Sequence, residues 1–116
     1  MFGGGRNTGN IYLASVEAYS SSLTVIMLDS LTKSRHGLCA GSIDGYVLFA
    51  GGYTDKGEII NAVEAYDNSL TRTIPTALNT GKYFLASSSI DEYLLFGGGI
   101  ASGGGTDGTI DVYAVI

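Results

Sequence analysis

Tyr46-Val47-Leu48-Phe49-Ala50-Gly51-Gly52 is the stretch on which the reading of this chain turns. Five residues without a charge, stopping at two glycines, are the pattern of a short strand buried on both faces, where neither face has water to hold a polar side chain. The pattern recurs. Phe49-Ala50-Gly51-Gly52 is preceded by Phe2-Gly3-Gly4-Gly5 and followed by Phe96-Gly97-Gly98-Gly99, so the phenylalanines stand 47 residues apart each time. Outward from it, Val16-Glu17-Ala18-Tyr19, Val63-Glu64-Ala65-Tyr66 and the looser Ile110-Asp111-Val112-Tyr113 keep the same spacing of 47. So do Ser22-Leu23-Thr24 with Ser69-Leu70-Thr71, and Ser42-Ile43-Asp44 with Ser89-Ile90-Asp91. Several independent landmarks at one period without an insertion mark an internal repeat, and such a repeat governs the fold. The chain divides into repeat one (1–47), repeat two (48–94) and a partial repeat three (95–116).

Each repeat reads as four short strands. Leu38-Cys39-Ala40-Gly41-Ser42-Ile43 and Leu85-Ala86-Ser87-Ser88-Ser89-Ile90 are built from small side chains, as suits a first strand where sheets converge. Asp44-Gly45 then supplies a two-residue hairpin turn whose residues tolerate positive φ, and Asp91-Glu92 is a poorer version of it. The buried second strand follows. Val63-Glu64-Ala65-Tyr66 alternates apolar and polar positions and predicts a half-buried third strand, ended by Asp67-Asn68. Thr24-Val25-Ile26-Met27-Leu28 and Thr71-Arg72-Thr73-Ile74 predict an outer fourth strand, with Pro75 where an edge tolerates a missing amide.

Composition narrows the function classes. A chain with 45% hydrophobic and 15% charged residues, 18 Gly, one Pro and no Trp is too apolar for disorder and fits glycine-punctuated β structure. Six Lys plus Arg against eleven Asp plus Glu leave a net charge of -5 and no basic stripe, so neither nucleic acid nor an anionic membrane surface is an expected partner. Cys39 is the single cysteine, which precludes an intrachain disulfide and points to no particular redox compartment. No apolar run approaches the roughly 18 residues of a membrane span, and Met1-Phe2-Gly3 does not open a signal peptide.

A strand ending in paired glycines, a loop of about ten residues, then Val-Glu-Ala-Tyr with Asp67 following in one copy, resembles the kelch repeat over essentially the whole chain. The resemblance implies four-stranded antiparallel blades of a β-propeller, in agreement with the strand count above. Two departures mark a divergent subset. The Trp usual after the Tyr is replaced by Val25 or Ile26 and by Arg72 or Thr73, and the Arg that commonly opens the first strand is present as Arg35 but is Lys82 in the next copy. Propellers close with about four to eight blades. Residues 1–22 and 95–116 share one phase, so this chain carries about two and a half blades. The expectation is self-association, or completion by the missing blades of a longer chain.

Reactive constellations are sparse. Gly97 to Gly108 is glycine-dense but no helical pattern follows to present amides to a phosphate, so it reads as a flexible loop. Asp107 and Asp111 stand in no run dense enough in oxygens for calcium. His36 is the sole histidine, too few for a copper site of the kind known in kelch-containing oxidases, and it has no Ser and Asp constellation beside it. Glu17, Glu64 and Asp111 repeat at one phase, the behaviour of structural positions. No cofactor, metal or catalytic residue is therefore expected. The favoured function is a noncatalytic binding module for a protein or glycan ligand; alternatives are a structural or assembly fragment of a larger propeller, or part of a kelch-type oxidase or sialic-acid epimerase.

Antiparallel strands bring the loop between the second and third strands and the loop between the fourth and first strands to one rim. The first contributes Tyr53, Asp55 and Lys56; the second contributes Lys33, Arg35, His36, Lys82 and Tyr83 at or just after it. These aromatic and cationic types are enriched in binding hot spots. The rim loops also vary between copies, 53–58 matching 6–11 at no position and 100–105 only at Gly57.

Overall fold

The computed structural model describes residues 1–6, 9, 11–19, 25–27, 30–67, 69, 71–101, 105, 106 and 108–114. Readings that involve Ser20, Thr24, Leu28, Asn68 and Asp107 lie outside them. Within the described residues the chain is all β, with no helix. Its strands are β1 (Phe2–Gly3), β2 (Val16–Tyr19), β3 (Val25–Met27), β4 (Cys39–Ile43), β5 (Tyr46–Ala50), β6 (Val63–Tyr66), β7 (Arg72–Thr73), β8 (Lys82–Tyr83), β9 (Ala86–Ile90), β10 (Tyr93–Gly97), β11 (Ile100–Ala101) and β12 (Ile110–Ala114).

These form an antiparallel meander β4-β5-β6-β7, flanked by the three-stranded sheets β1-β2-β3 and β9-β10-β12, with a short β8-β11 pair at one end. The numerical period becomes a structural one: Phe49 pairs with Glu64 as Phe2 pairs with Glu17 and Phe96 with Asp111. The cuts drawn in the sequence at 47/48 and 94/95 fall inside β5 and β10, because a period has no natural origin; the sheets themselves change over in 28–38 and 74–85.

β5 is buried on both faces, as its composition requires. Leu48 and Ala50 pack with Ile43, Val63, Ala65, Leu85, Leu94 and Phe96 between the central sheet and β9-β10-β12. Phe49 packs with Val16, Leu31 and Tyr66 on the other side, with Val47 beside them. The small residues of β4 have a steric reason. A Cβ on Gly41 would lie 2.5 Å from Leu94 Cδ1 of the next sheet.

β6 departs from expectation, since all four of its residues are buried rather than alternate ones. Its polar face is covered because Glu64 finds its partners inside: Arg35 Nη2 donates to Oε2, and the amide of Thr32 donates to Oε1 at 2.8 Å. At the opposite end of the sheet, Asp44 and Gly45 both take positive φ (42° and 83°), giving the expected tight hairpin. In the next copy only Asp91 does so, at 50°.

Candidate functional site

The rim is built by a repeated device at the end of each second strand. Gly51 and Gly52 take φ of 69° and 115°, a region open to glycine at no steric cost, and turn the chain sharply out of β5. The turn is pinned by Gly51 N–H to Ala62 O (3.1 Å) and Gly52 N–H to Lys82 O (2.9 Å). Beyond it the loop folds back on itself: Arg6 bridges Tyr12, Tyr53 bridges Ile59 and Ile100 bridges Thr106, each pair at the same phase of the repeat. In the segment read as a flexible loop, the described residues add one further contact, Ala101 N–H to Gly105 O at 2.9 Å.

The segment that leads into the next first strand runs alongside. His36 and Tyr53 exchange both backbone hydrogen bonds (3.1 and 2.9 Å), and Tyr83 pairs with Ile100 in the β8-β11 ladder. The two kinds of loop predicted to share a rim therefore meet through main-chain bonds. Consecutive side chains along an extended segment point to opposite sides. Hence His36 and Tyr83 turn outward while Arg35 and Lys82 turn in.

What the outward side chains make is a continuous strip of rings. The Tyr12 ring meets His36 edge-on at 4.5 Å between centroids, and its hydroxyl is 3.0 Å from His36 Nε2. His36 lies 5.7 Å from Tyr53 and 6.2 Å from Phe84. Tyr53 then lies 5.4 Å from Tyr83, which meets Phe84 at 4.9 Å. Phe84 is 63% exposed and the other four rings are half-buried, so they offer apolar faces to solvent while holding one another in place. Burial pushes the His36 imidazole below its ordinary value, with Arg6 adding to the effect, so the neutral ring is favoured.

Phe84 carries a backbone cost. Its φ is 57°, uncommon for a bulky residue, and the conformation is held by its N–H bonding Gly37 O at 2.7 Å. Gly37, at the same phase one repeat earlier, also has positive φ, 67°. The turn demands a left-handed residue; one copy meets the demand with glycine and the other with an exposed aromatic.

Beside the strip lies a charged notch lined by Lys33, Thr54, Asp55, Lys56 and Glu58. Lys33 Nζ pairs with Glu58 at 3.1 Å, both about half exposed. Thr54 Oγ1 accepts the Glu58 amide at 3.1 Å and closes a tight loop with Asp55 and Lys56 exposed on it.

Of the eight rim residues singled out from sequence, His36, Tyr53 and Tyr83 join the strip, and Lys33, Asp55 and Lys56 line the notch. Arg35 and Lys82 stand apart from both, being fully buried. Arg35 is paired to Glu64, and Lys82 Nζ lies 3.7 Å from Asp111 while donating to Thr109 O at 3.0 Å. A cation spent on an internal carboxylate offers a ligand nothing. Tyr12 and Phe84 join the strip without having been singled out. Among the described residues no three His, Cys, Asp or Glu side chains come together as metal ligands.

No protein-family profile and no curated protein matches this chain. Among solved structures it is similar to that titled "Structure of YjhT", with a TM-score of 0.79 at 18% identity over 97% of this chain. The match spans 39% of the YjhT chain. At that identity the likeness is one of fold.

Proposed function

We propose that these sheets are blades of a kelch-type β-propeller and that the chain is a noncatalytic binding module, holding a protein or glycan ligand on the rim formed by Tyr12, His36, Tyr53, Tyr83 and Phe84. The propeller reading is supported by the four-stranded meander, by its repetition at 47 residues, and by the face-to-face packing of successive sheets. The binding reading is carried by one observation: loops attached to three successive sheets converge on a single partly exposed aromatic surface. Rings give large contact area at low conformational cost, and loops on a rigid β scaffold are where such surfaces are placed. The exposed Phe84 in a strained backbone is the kind of locally costly feature that clusters at ligand-contacting sites.

The noncatalytic reading is supported by where the polar groups go. Glu64 and Asp111 are committed to Arg35 and Lys82, and His36 Nε2 to the Tyr12 hydroxyl. The test is to take hits from glycan and peptide arrays into aromatic proton NMR. Binding should shift the ring signals of Tyr53, Tyr83 and Phe84 and leave Tyr46 and Tyr93, beside the opposite turns, in place. Shifts confined to Tyr46 and Tyr93 would move the site to the other rim.

A further inference from the structure

The outer face of β9-β10-β12 presents residues that elsewhere in this chain are core. Ile90, Tyr93, Ile110 and Val112 are 63%, 50%, 59% and 56% exposed. By register they share one face: Tyr93 stands opposite Ile90 and Ala114, and Val112 opposite Leu95. In the central sheet the same phase holds Ile43, Tyr46, Val63 and Ala65, each 47 residues earlier. There Ile43, Val63 and Ala65 are 6%, 0% and 4% exposed, and Tyr46 packs against them. Their cover is a sheet of the same repeat, which inserts Leu94 and Phe96.

The chain shows the same event twice. One step earlier, Val16 and Ala18 hold the positions of Val63 and Ala65 and are also buried, with Phe49 and Tyr66 packed on Val16. In both cases the covering sheet brings a second-strand Phe set edge-on against a third-strand Tyr: Phe49 and Tyr66 at 5.9 Å and 83°, Phe96 and Tyr113 at 5.8 Å and 79°. The same residue types stand at the same phase in the sequence of β1 and β2, as Phe2 and Tyr19.

We infer that the outer face of β9-β10-β12 binds a second copy of this chain through that copy's β1-β2-β3 sheet, so that copies add head to tail. The receiving face has the chemistry of two faces already covered, and β1-β2 carries the positions that do the covering. An apolar face of this extent, unlike scattered exposed residues, marks an interaction surface. Because the two surfaces differ, the contact is heterologous, and such contacts close into a ring or grow into an open assembly. A charge of -5 per copy opposes the contact through repulsion that salt screens, so association strengthens as salt is raised. The inference is independent of whether the aromatic rim binds a ligand.

The experiment is sedimentation velocity on the full chain over a dilution series, with Val112→Lys and Ile110→Lys beside the wild type. Both positions are exposed in the single chain, so the variants should keep the wild-type circular dichroism while their association weakens at least tenfold. The pairing of faces is read with a short bis-maleimide in a Cys39→Ser background. A cross-linked dimer should form when Val112→Cys is mixed with Tyr19→Cys, and not from Val112→Cys alone. A wild type that stays monomeric throughout, lysine variants that associate as the wild type does, or efficient self-cross-linking of Val112→Cys would each overturn the inference.

Discussion

Arg35 and Glu64 form a fully buried ion pair across a separation of 29 residues, and Lys82 and Asp111, at the same separation, form its counterpart one repeat later. Each carboxylate also accepts a loop amide, from Thr32 at 2.8 Å and from Asn79 at 3.1 Å. The pair thus locks the segment leading into a sheet onto that sheet's third strand. Removing one partner of such a pair leaves the other charge buried and costs about 3–5 kcal/mol. Glu64→Gln is therefore expected to lose stability on that scale in urea unfolding, and Asp111→Asn less, because its lysine sits at 3.7 Å. Among the described residues Arg35 Nε and Nη1 have no hydrogen-bond partner, and burial pushes the guanidinium pKa down against the opposing pull of Glu64 and Tyr66. Arg35→Met combined with Glu64→Leu should consequently recover most of the loss.

The rim has a pH dependence whose direction follows from His36. Its pKa in the folded chain is lowered from 6.5, by burial and then by Arg6. As pH falls the unfolded chain takes up the proton first, so the stability held above 6.5 is lost progressively as pH drops from there through the lowered folded value. The difference in Tm between wild type and His36→Gln should shift against the wild type on acidification. A difference constant across that range would contradict this account of the imidazole.

Phe84 sets stability against binding. Left-handed backbone costs a bulky residue roughly 1–2 kcal/mol, and at 63% exposure the ring recovers little of that by burial. Phe84→Gly, which installs the residue found at the same phase as Gly37, should raise stability by about 1 kcal/mol and weaken any ligand held on the strip. A destabilised variant would show that the ring packs more firmly than its exposure indicates.

Gly51 should tolerate no side chain. Its φ is 69°, and a Cβ there would sit 2.3 Å from Lys82 O, a backbone atom. Gly51→Ala is expected to cost more than about 1 kcal/mol in chemical denaturation. Gly5, whose added Cβ would meet nothing within 4 Å among the described residues, provides the comparison, with a smaller loss for Gly5→Ala from its φ of 107° alone.

Much of the fold was legible because the period is numerical: once Phe49 and Glu64 are placed, so are their neighbours 47 residues away. Legibility failed at side-chain direction. Arg35 and His36 were assigned to one surface because both lie at the connection between fourth and first strands, whereas an extended segment sends neighbours to opposite sides. The signal for Arg35 and Lys82 was present, as opposite charges recurring at one phase with Glu64 and Asp111. Phe84 was overlooked because nothing in a phenylalanine announces positive φ, although its alignment with Gly37 did. Tyr12 gave no such clue. Its phase holds Ile59 and Thr106 in the other copies, and only the folded loops bring it to His36.

The central claim, that the aromatic rim is the binding surface, is tested most directly by comparing the two rims on one array of glycans and peptides. Wild type, Tyr53→Ala and Tyr83→Ala would be measured beside Asp44→Asn and Asp91→Asn, which alter the opposite turns while keeping residues that accept positive φ. The account predicts that each Tyr variant loses at least about 1.4 kcal/mol, a tenfold loss of affinity, while both Asn variants bind as the wild type does. Tyr variants that bind unchanged, with binding abolished by Asp44→Asn and Asp91→Asn in a folded protein, would contradict it.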